Sequence, residues 1–388
     1  MARKRIVLFF EYFNSIHLNK DPFLVPYYLG KMMGRDVEIL YPLSDSQEVL
    51  PPDYRGVKLV PFTLGSSKQC CFQEQYGNAL EYIERQGKEI DVLILFFGGD
   101  LSKLFMKRYK QVNPKGKVYI KLDVNPLTIE RRADKPVWYR VYRWLRCALW
   151  KRPFLWKADV VSCETRWAYE EICKNFAPSK WCDEKLLYVP NGMDEELIEQ
   201  LGFSKQISNK KEHVLLTVGR LGAYEKNTEM ILAALENVDL KDWKFYFVGS
   251  VEKEFEAIKD KFMSNNPQWA QRVVWIGPLY DKKELFQLYE RAKVLVMSSR
   301  FESYGLVFTE AQRFGDYIIS TPVGASYDVI EGGKYGEIVE QENVMALAHA
   351  IRNVIEGKTD TSACAQYDVN RLSWTVKLRD VVEKLNRN

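Results

Sequence analysis

The sequence predicts an α/β protein built from two doubly wound, mostly parallel sheets, and three observations lead to it. Short apolar runs alternate with amphipathic stretches along the chain, the pattern of strands joined by covering helices. The alternation pauses at a Pro190-Asn191-Gly192 turn and, soon after, the polar stretch GFSKQISNKKEH, then starts again. The chain has 388 residues, which at roughly 150 per domain make two or three domains, enough to bury two substantial cores.

In the first half the apolar runs at 5–10, 37–41, 57–60, 92–97, 117–122 and 160–163 read as strands with turn residues around them. The segments 74–88 and 165–175 are amphipathic. After the polar stretch the order is strand 213–218, helix 225–237, strand 244–248, helix 252–263, strand 273–276, helix 281–291, strand 294–297, helix 305–314 and strand 317–320. Strands that are apolar throughout are buried on both faces, which suits parallel sheets covered by helices. Such sheets bind ligands at the carboxyl ends of their strands, so two facing sheets create a cleft between domains.

Composition excludes several classes. Apolar residues make up 46%, aromatic 13% and charged 28%, the proportions of a folded globular chain rather than a disordered or fibrous one. A net charge of +4 is too small to mark a nucleic-acid binder by itself. Seven cysteines, an odd number with no C-x-x-C spacing, fit a reduced cytosolic compartment, and three scattered histidines leave little to build a metal centre. Near the start only Ile6 to Phe10 are apolar before Glu11 interrupts, which suits a buried strand rather than a signal peptide. No apolar run reaches the roughly 20 residues that span a bilayer.

Candidate chemistry concentrates in the second half. After the strand ending at Met297 comes SSRFESYGLVFTEAQRFG, with Glu302 and Glu310 flanking Gly305 at a helix start. Strand, polar loop, glycine and helix together leave backbone N–H groups near Gly305 and Leu306 able to face an anion, an arrangement suited to phosphate. Upstream, LLTVGRL runs into GAYEKN and brings Arg220 and Lys226 to the end of the second domain's first strand, where two cations suit an anionic group.

The residues GRL, EKN, FYFVG, IGPLYDKKELFQLYERAKVLVMSSRFESYGLVFTEA and TPVGASYDVIEGG resemble family 4 of the retaining glycosyltransferases, which have the GT-B fold. The likeness is dense over 185–340 and continues through RLSWTVKLRDVVEKL, similar to the closing helix that crosses back to the first domain in that family. It implies an acceptor-side domain at 1–200 together with 371–388, and a donor domain at 201–370. It also implies that Arg220 and Lys226 bind the diphosphate of a nucleotide sugar, linked to UDP or GDP, and neutralise the departing charge. Glu302 would hold donor-sugar hydroxyls and Glu310 the ribose hydroxyls. The implied donor contacts include Gly219, Gly249, Ser303, Tyr304, Gly305 and Leu306 as well. At Gly249 the following Ser250 and Val251 depart from the glycines common in the family. No D-x-D occurs, in keeping with metal-independent chemistry.

The first half departs further. Where relatives often carry a glycine-rich loop after the first strand, this chain has EYFNSIHLNKDPF, with no glycine between Phe10 and Gly30. His17 is the expected first-domain site residue there, against a plain loop histidine. Asp123, in KLDVNP, could orient the acceptor hydroxyl or shape a turn before Pro126. Residues 131–157 hold nine Lys or Arg against one acid, a net +8, with four tryptophans. A helix through this stretch sets an apolar stripe beside a basic arc, which suits an anionic membrane surface or an ordinary packed helix. The expected membrane contacts are Arg140, Arg143, Trp144, Arg146, Trp150 and Lys151.

The expected function is transfer of a sugar from a nucleotide sugar to a glycan or lipid-linked acceptor, in cell-surface polysaccharide synthesis at the cytoplasmic face of the membrane. Two rivals stay open: a non-catalytic nucleotide-binding relative that partners another transferase, and a nucleic-acid binder using the basic aromatic segment.

Overall fold

The structure is a computed structural model that describes residues 4–43, 49–65, 72–128, 152–175, 179–208 and 210–387. The chain divides into two compact units, one of Met1–Val124, Thr128–Asp194 and Trp374–Asn388, the other of Asn125–Leu127 and Glu195–Ser373.

The first unit holds β1 (Arg5–Phe9), β2 (Asp36–Leu43), β3 (Asp53–Tyr54), β4 (Val57–Thr63), β5 (Ile90–Phe96), β6 (Lys117–Leu122), β7 (Val160–Cys163) and β8 (Leu186–Tyr188). They form one sheet in the order β3-β4-β2-β1-β5-β6-β7-β8, parallel except for the short β3–β4 pair. Alternation along each strand feeds two cores. Val7 and Phe9 of β1 and Leu93 and Leu95 of β5 point to one face, where α2 (Gly77–Gln86) and α3 (Asp100–Val112) supply Leu80, Ile83, Phe105 and Tyr109. Ile6, Leu8, Val92 and Ile94 point to the other, packed against α1 (Asp21–Met33). That second core also takes in Trp374, Leu378, Val381 and Leu385, so the C-terminal helix Arg379–Asn386 belongs to the first unit. The run from Pro22 to Gly30 in α1 is buried almost all round, and such a helix shows no amphipathic stripe in its sequence. The helix α4 (Arg166–Asn175) follows β7.

The second unit is a six-stranded parallel sheet: β9 (Val214–Val218), β10 (Lys244–Val248), β11 (Val273–Gly277), β12 (Val294–Met297), β13 (Tyr317–Ser320) and β14 (Gly336–Ile338), in the order β11-β10-β9-β12-β13-β14. The connecting helices include α5 (Thr228–Leu235), α6 (Lys253–Asn265), α7 (Lys282–Arg291), α8 (Leu306–Phe314) and α9 (Val344–Ile355). The strand order reverses direction between β9 and β12, and in the first unit between β1 and β5. In doubly wound sheets the crevice at such a reversal, outside the carboxyl strand ends, is where ligands sit.

Candidate functional site: a loop pair in the second unit

The loops leaving β9 and β12 meet at the reversal point of the second sheet. From β9 the chain passes Gly219 and Arg220 to Lys226; from β12 it passes Ser298 and Ser299 to Glu302 and Gly305. A recess lined by Val218, Gly219, Arg220, Lys226, Ser298 and Ser299 lies between them. Lys226 Nζ donates to Glu302 Oε1 at 2.5 Å, and Ser299 Oγ donates to the same oxygen at 2.9 Å. Ser298 Oγ donates to the carbonyls of Lys226 and Asn227 at 3.0 and 2.8 Å, so the β12 loop also holds the backbone of the β9 loop.

Glycines make this approach possible. A Cβ on Gly249, at the end of β10 with φ +137°, would lie 1.7 Å from the Gly219 carbonyl oxygen, so a side chain there would push the β9 loop away. Gly305 adopts φ +88° as the N-cap of α8, and its α-carbon face lies against Phe308 and the Glu302 side chain. Glu302 therefore stands between Lys226 and the start of α8, whose first N–H groups and dipole favour an anion. Ser303 is partly exposed in this loop, and Tyr304 is buried, its hydroxyl accepting from Thr309 Oγ1 at 3.1 Å.

The other two predicted residues find different company. The Arg220 side chain, 63% exposed, pairs with Glu225 and lies 3.7 Å from Glu252. Glu310, buried on α8, turns to α7: Lys282 Nζ reaches its Oε1 at 2.8 Å and the Tyr289 hydroxyl donates to its Oε2 at 3.0 Å. Burial and the neighbouring Glu310 carboxylate push the Tyr289 hydroxyl well above its ordinary range, so it stays a donor. Lys282, Tyr289 and Ser299 are partners that motif spacing does not reveal, because they contact the glutamates only after folding.

In the first unit the loop after β1 closes on itself. His17 Nδ1 lies 3.2 Å from the Asn14 N–H, capping a short 3-10 turn at Ser15–His17, and the ring packs on Phe10 and Phe13 at 5.3 and 5.8 Å. Burial, then the nearby Lys20 charge, lowers its basicity. Asp123 is exposed just past β6. Its neighbour Lys121 is wholly buried instead: Nζ donates to Asp21 Oδ2 at 2.7 Å and to Glu164, while Asn191 Nδ2 reaches the same Glu164 oxygen at 3.3 Å. Burial pushes the Glu164 carboxyl up to about 8, and its two carboxylate partners keep Lys121 charged. Lys121 is thus an internal strut rather than a group facing a ligand. Arg140, Arg143, Trp144, Arg146, Trp150 and Lys151 lie outside the described residues. Among the described residues no helix is long and apolar enough to cross a membrane, and no cluster of three or more His, Cys, Asp or Glu could hold a metal.

Two Rossmann-like α/β units, with the C-terminal helix returning to the first, define the GT-B fold. Residues 212–357, which include both loops of the site, match the model of the family described as Glycosyl transferases group 1. An uncharacterised 41.2 kDa protein in the cps region of Klebsiella pneumoniae is 29% identical over 195 residues, covering 48% of this chain and 50% of that protein. The chain spans half or less of the length of the first curated relatives it matches. Among solved structures it is similar to the apo form of the lipopolysaccharide outer core galactosyltransferase WaaB (TM-score 0.69, 15% identity, covering 98% of this chain and 99% of that one). It is also similar to Anabaena HepE in complex with UDP (TM-score 0.68, 15% identity, covering 98% and 99%).

Proposed function

We propose that the chain is a retaining, metal-independent glycosyltransferase of family 4 that moves a sugar from a UDP- or GDP-linked donor to a glycan or lipid-linked acceptor in polysaccharide synthesis. The observation that carries this reading is the Lys226–Glu302 pair at the strand-order reversal, beside a helix entered through Gly305. A cation, a carboxylate and a helix N-terminus meet there, the set needed to hold a sugar diphosphate at both its sugar and its phosphate ends. The cps-region relative and the lipopolysaccharide transferase support the polysaccharide context, and the UDP complex supports a nucleotide donor.

In this reading Lys226 and Arg220 neutralise the diphosphate, the α8 N-terminus binds a phosphate oxygen, Glu302 holds sugar hydroxyls and Glu310 the ribose. The bond between the anomeric carbon and the diphosphate breaks through an oxocarbenium-like transition state. The acceptor hydroxyl adds from the same face, and its proton passes to a diphosphate oxygen, so nucleoside diphosphate and a glycoside of unchanged configuration result. Arg220 would turn from Glu225 to reach the phosphates. His17 and Asp123 stand on the first unit as acceptor-side groups, and 131–157 as a contact with anionic membrane at the cytoplasmic face.

The test is a panel of UDP- and GDP-sugars scored by thermal stabilisation and by sugar release in EDTA. Stabilisation by one donor, with turnover in EDTA lost in Lys226→Ala and Glu302→Gln, is the expected result. If no donor stabilises the protein, the reading is wrong; turnover only with added metal overturns the metal-independent part.

A further inference from the structure

We propose that Arg300 and Glu342 form a latch that sets the position of Lys226, with Arg300 as a positioning residue for the phosphate site. The inference rests on the donor-binding reading above for its functional consequence, and on geometry alone for the latch itself.

Lys226 lies in an irregular loop between β9 and α5, so nothing periodic holds it in place. Arg300 grips that loop on both sides of it. Its Nη1 donates to the Tyr224 carbonyl at 2.7 Å, its Nη2 to Asn227 Oδ1 at 2.9 Å, and its backbone N–H to the Glu225 carbonyl at 2.8 Å. The guanidinium lies 4.5 Å from the centre of the Tyr224 ring. Glu342, in the loop after β14, completes the arrangement. Its carboxylate accepts from Arg300 Nε at 2.6 Å and Nη2 at 3.3 Å, and its Oε1 also accepts from Asn227 Nδ2 at 3.2 Å. Gln341 Nε2 donates to the Arg300 carbonyl at 2.8 Å.

Two members of this network are strained. Asn227 has φ +49° and Glu342 φ +57°, in the left-handed region that costs a side-chain-bearing residue free energy and persists where neighbours hold it. A glycine at 342 would relieve that strain. What the glutamate adds is its carboxylate, held below the ordinary carboxylate range chiefly by the hydrogen bond from Arg300. The Glu342 side chain is 58% exposed, and an exposed ion pair contributes little to global stability. Its visible effect is to orient Arg300 toward the residues that flank Lys226.

The experiment compares wild type with Arg300→Ala, Arg300→Lys and Glu342→Gly. Competitive acetylation of Lys226, read by mass spectrometry, reports whether its ammonium stays paired with Glu302, and Glu302→Gln calibrates the unpaired rate. Calorimetric binding of UDP and GDP reports the phosphate site. Arg300→Ala and Glu342→Gly are expected to acetylate Lys226 about fivefold faster or more and to bind the nucleotide about tenfold more weakly. Glu342→Gly should melt close to wild type, and Arg300→Lys, which cannot reproduce the fork, should restore little. Lys226 acetylation that stays at the wild-type rate in both variants overturns the latch. So does faster acetylation accompanied by equally faster hydrogen exchange across the whole second sheet. If wild type binds neither UDP nor GDP, the donor-binding reading fails, and the acetylation rates still decide the latch.

Discussion

Replacing Lys121 with methionine removes the cation from a buried cluster and leaves its two carboxylates behind. Lys121 is 0% exposed, Glu164 4% and Asp21 15%, so water cannot take over the lost charge pairing. Removing one partner of a buried pair costs about 3–5 kcal/mol, because a charge stays desolvated without compensation. Lys121→Met should therefore destabilise the first unit by about that amount at pH 8. The pH dependence gives a second reading. The Glu164 carboxyl is raised from an ordinary 4.5 to about 8 by burial, so the folded state binds its proton more tightly than the unfolded chain. That contribution is complete below pH 4.5 and is lost as the pH climbs through about 8. Without Lys121 the carboxyl must rise further, so the variant's deficit should shrink between pH 8 and pH 5. Adding Glu164→Gln should recover part of the loss at pH 8, since the amide is neutral without having to take up a proton. Urea unfolding, with hydrogen exchange read at the β6 and β7 amides, measures both effects. A Lys121→Met cost under ~1 kcal/mol at pH 8, or a deficit that grows on acidification, would refute the reasoning.

Other consequences can be checked separately. Tyr289→Phe removes a buried donor to Glu310 and should lower the stability of the second unit by about 1–3 kcal/mol in urea titrations while weakening donor binding. Gly249→Ala, whose Cβ would fall 1.7 Å from the Gly219 oxygen, should cost at least ~2 kcal/mol by thermal melting. Gly99→Ala, with nothing within 4 Å of the added carbon, should lose only the N-cap preference of α3, about 0.5–1 kcal/mol. Burial raises the Asp316 carboxyl from 3.8 to about 7 against the pull of Lys211, so its stabilising contribution is full below pH 3.8 and lost as the pH rises through about 7. Relative to wild type, Asp316→Asn should therefore become more stable step by step from pH 4 to 7 in parallel melts.

Much of the fold was legible because parallel strands buried on both faces write themselves as short apolar runs. The strands predicted at 117–122, 160–163, 244–248, 294–297 and 317–320 match β6, β7, β10, β12 and β13 residue for residue. The short strands β3, β8 and β14 carry too few residues for a pattern. The helix α1 was hidden for the opposite reason, since a run buried almost all round has no polar face to mark its period.

The site divides in the same way. Sequence alone determined the strand–loop–glycine–helix order around Glu302 and Gly305 and the cations that follow β9, because these depend on local chain chemistry. Only the tertiary structure decided who meets whom: Lys226 with Glu302, Glu310 with Lys282 and Tyr289, Arg300 with Glu342, and Lys121 turned inward to Asp21 and Glu164. These partners lie between 21 and 100 residues apart, and such pairings follow from strand order and helix packing, which no local spacing encodes.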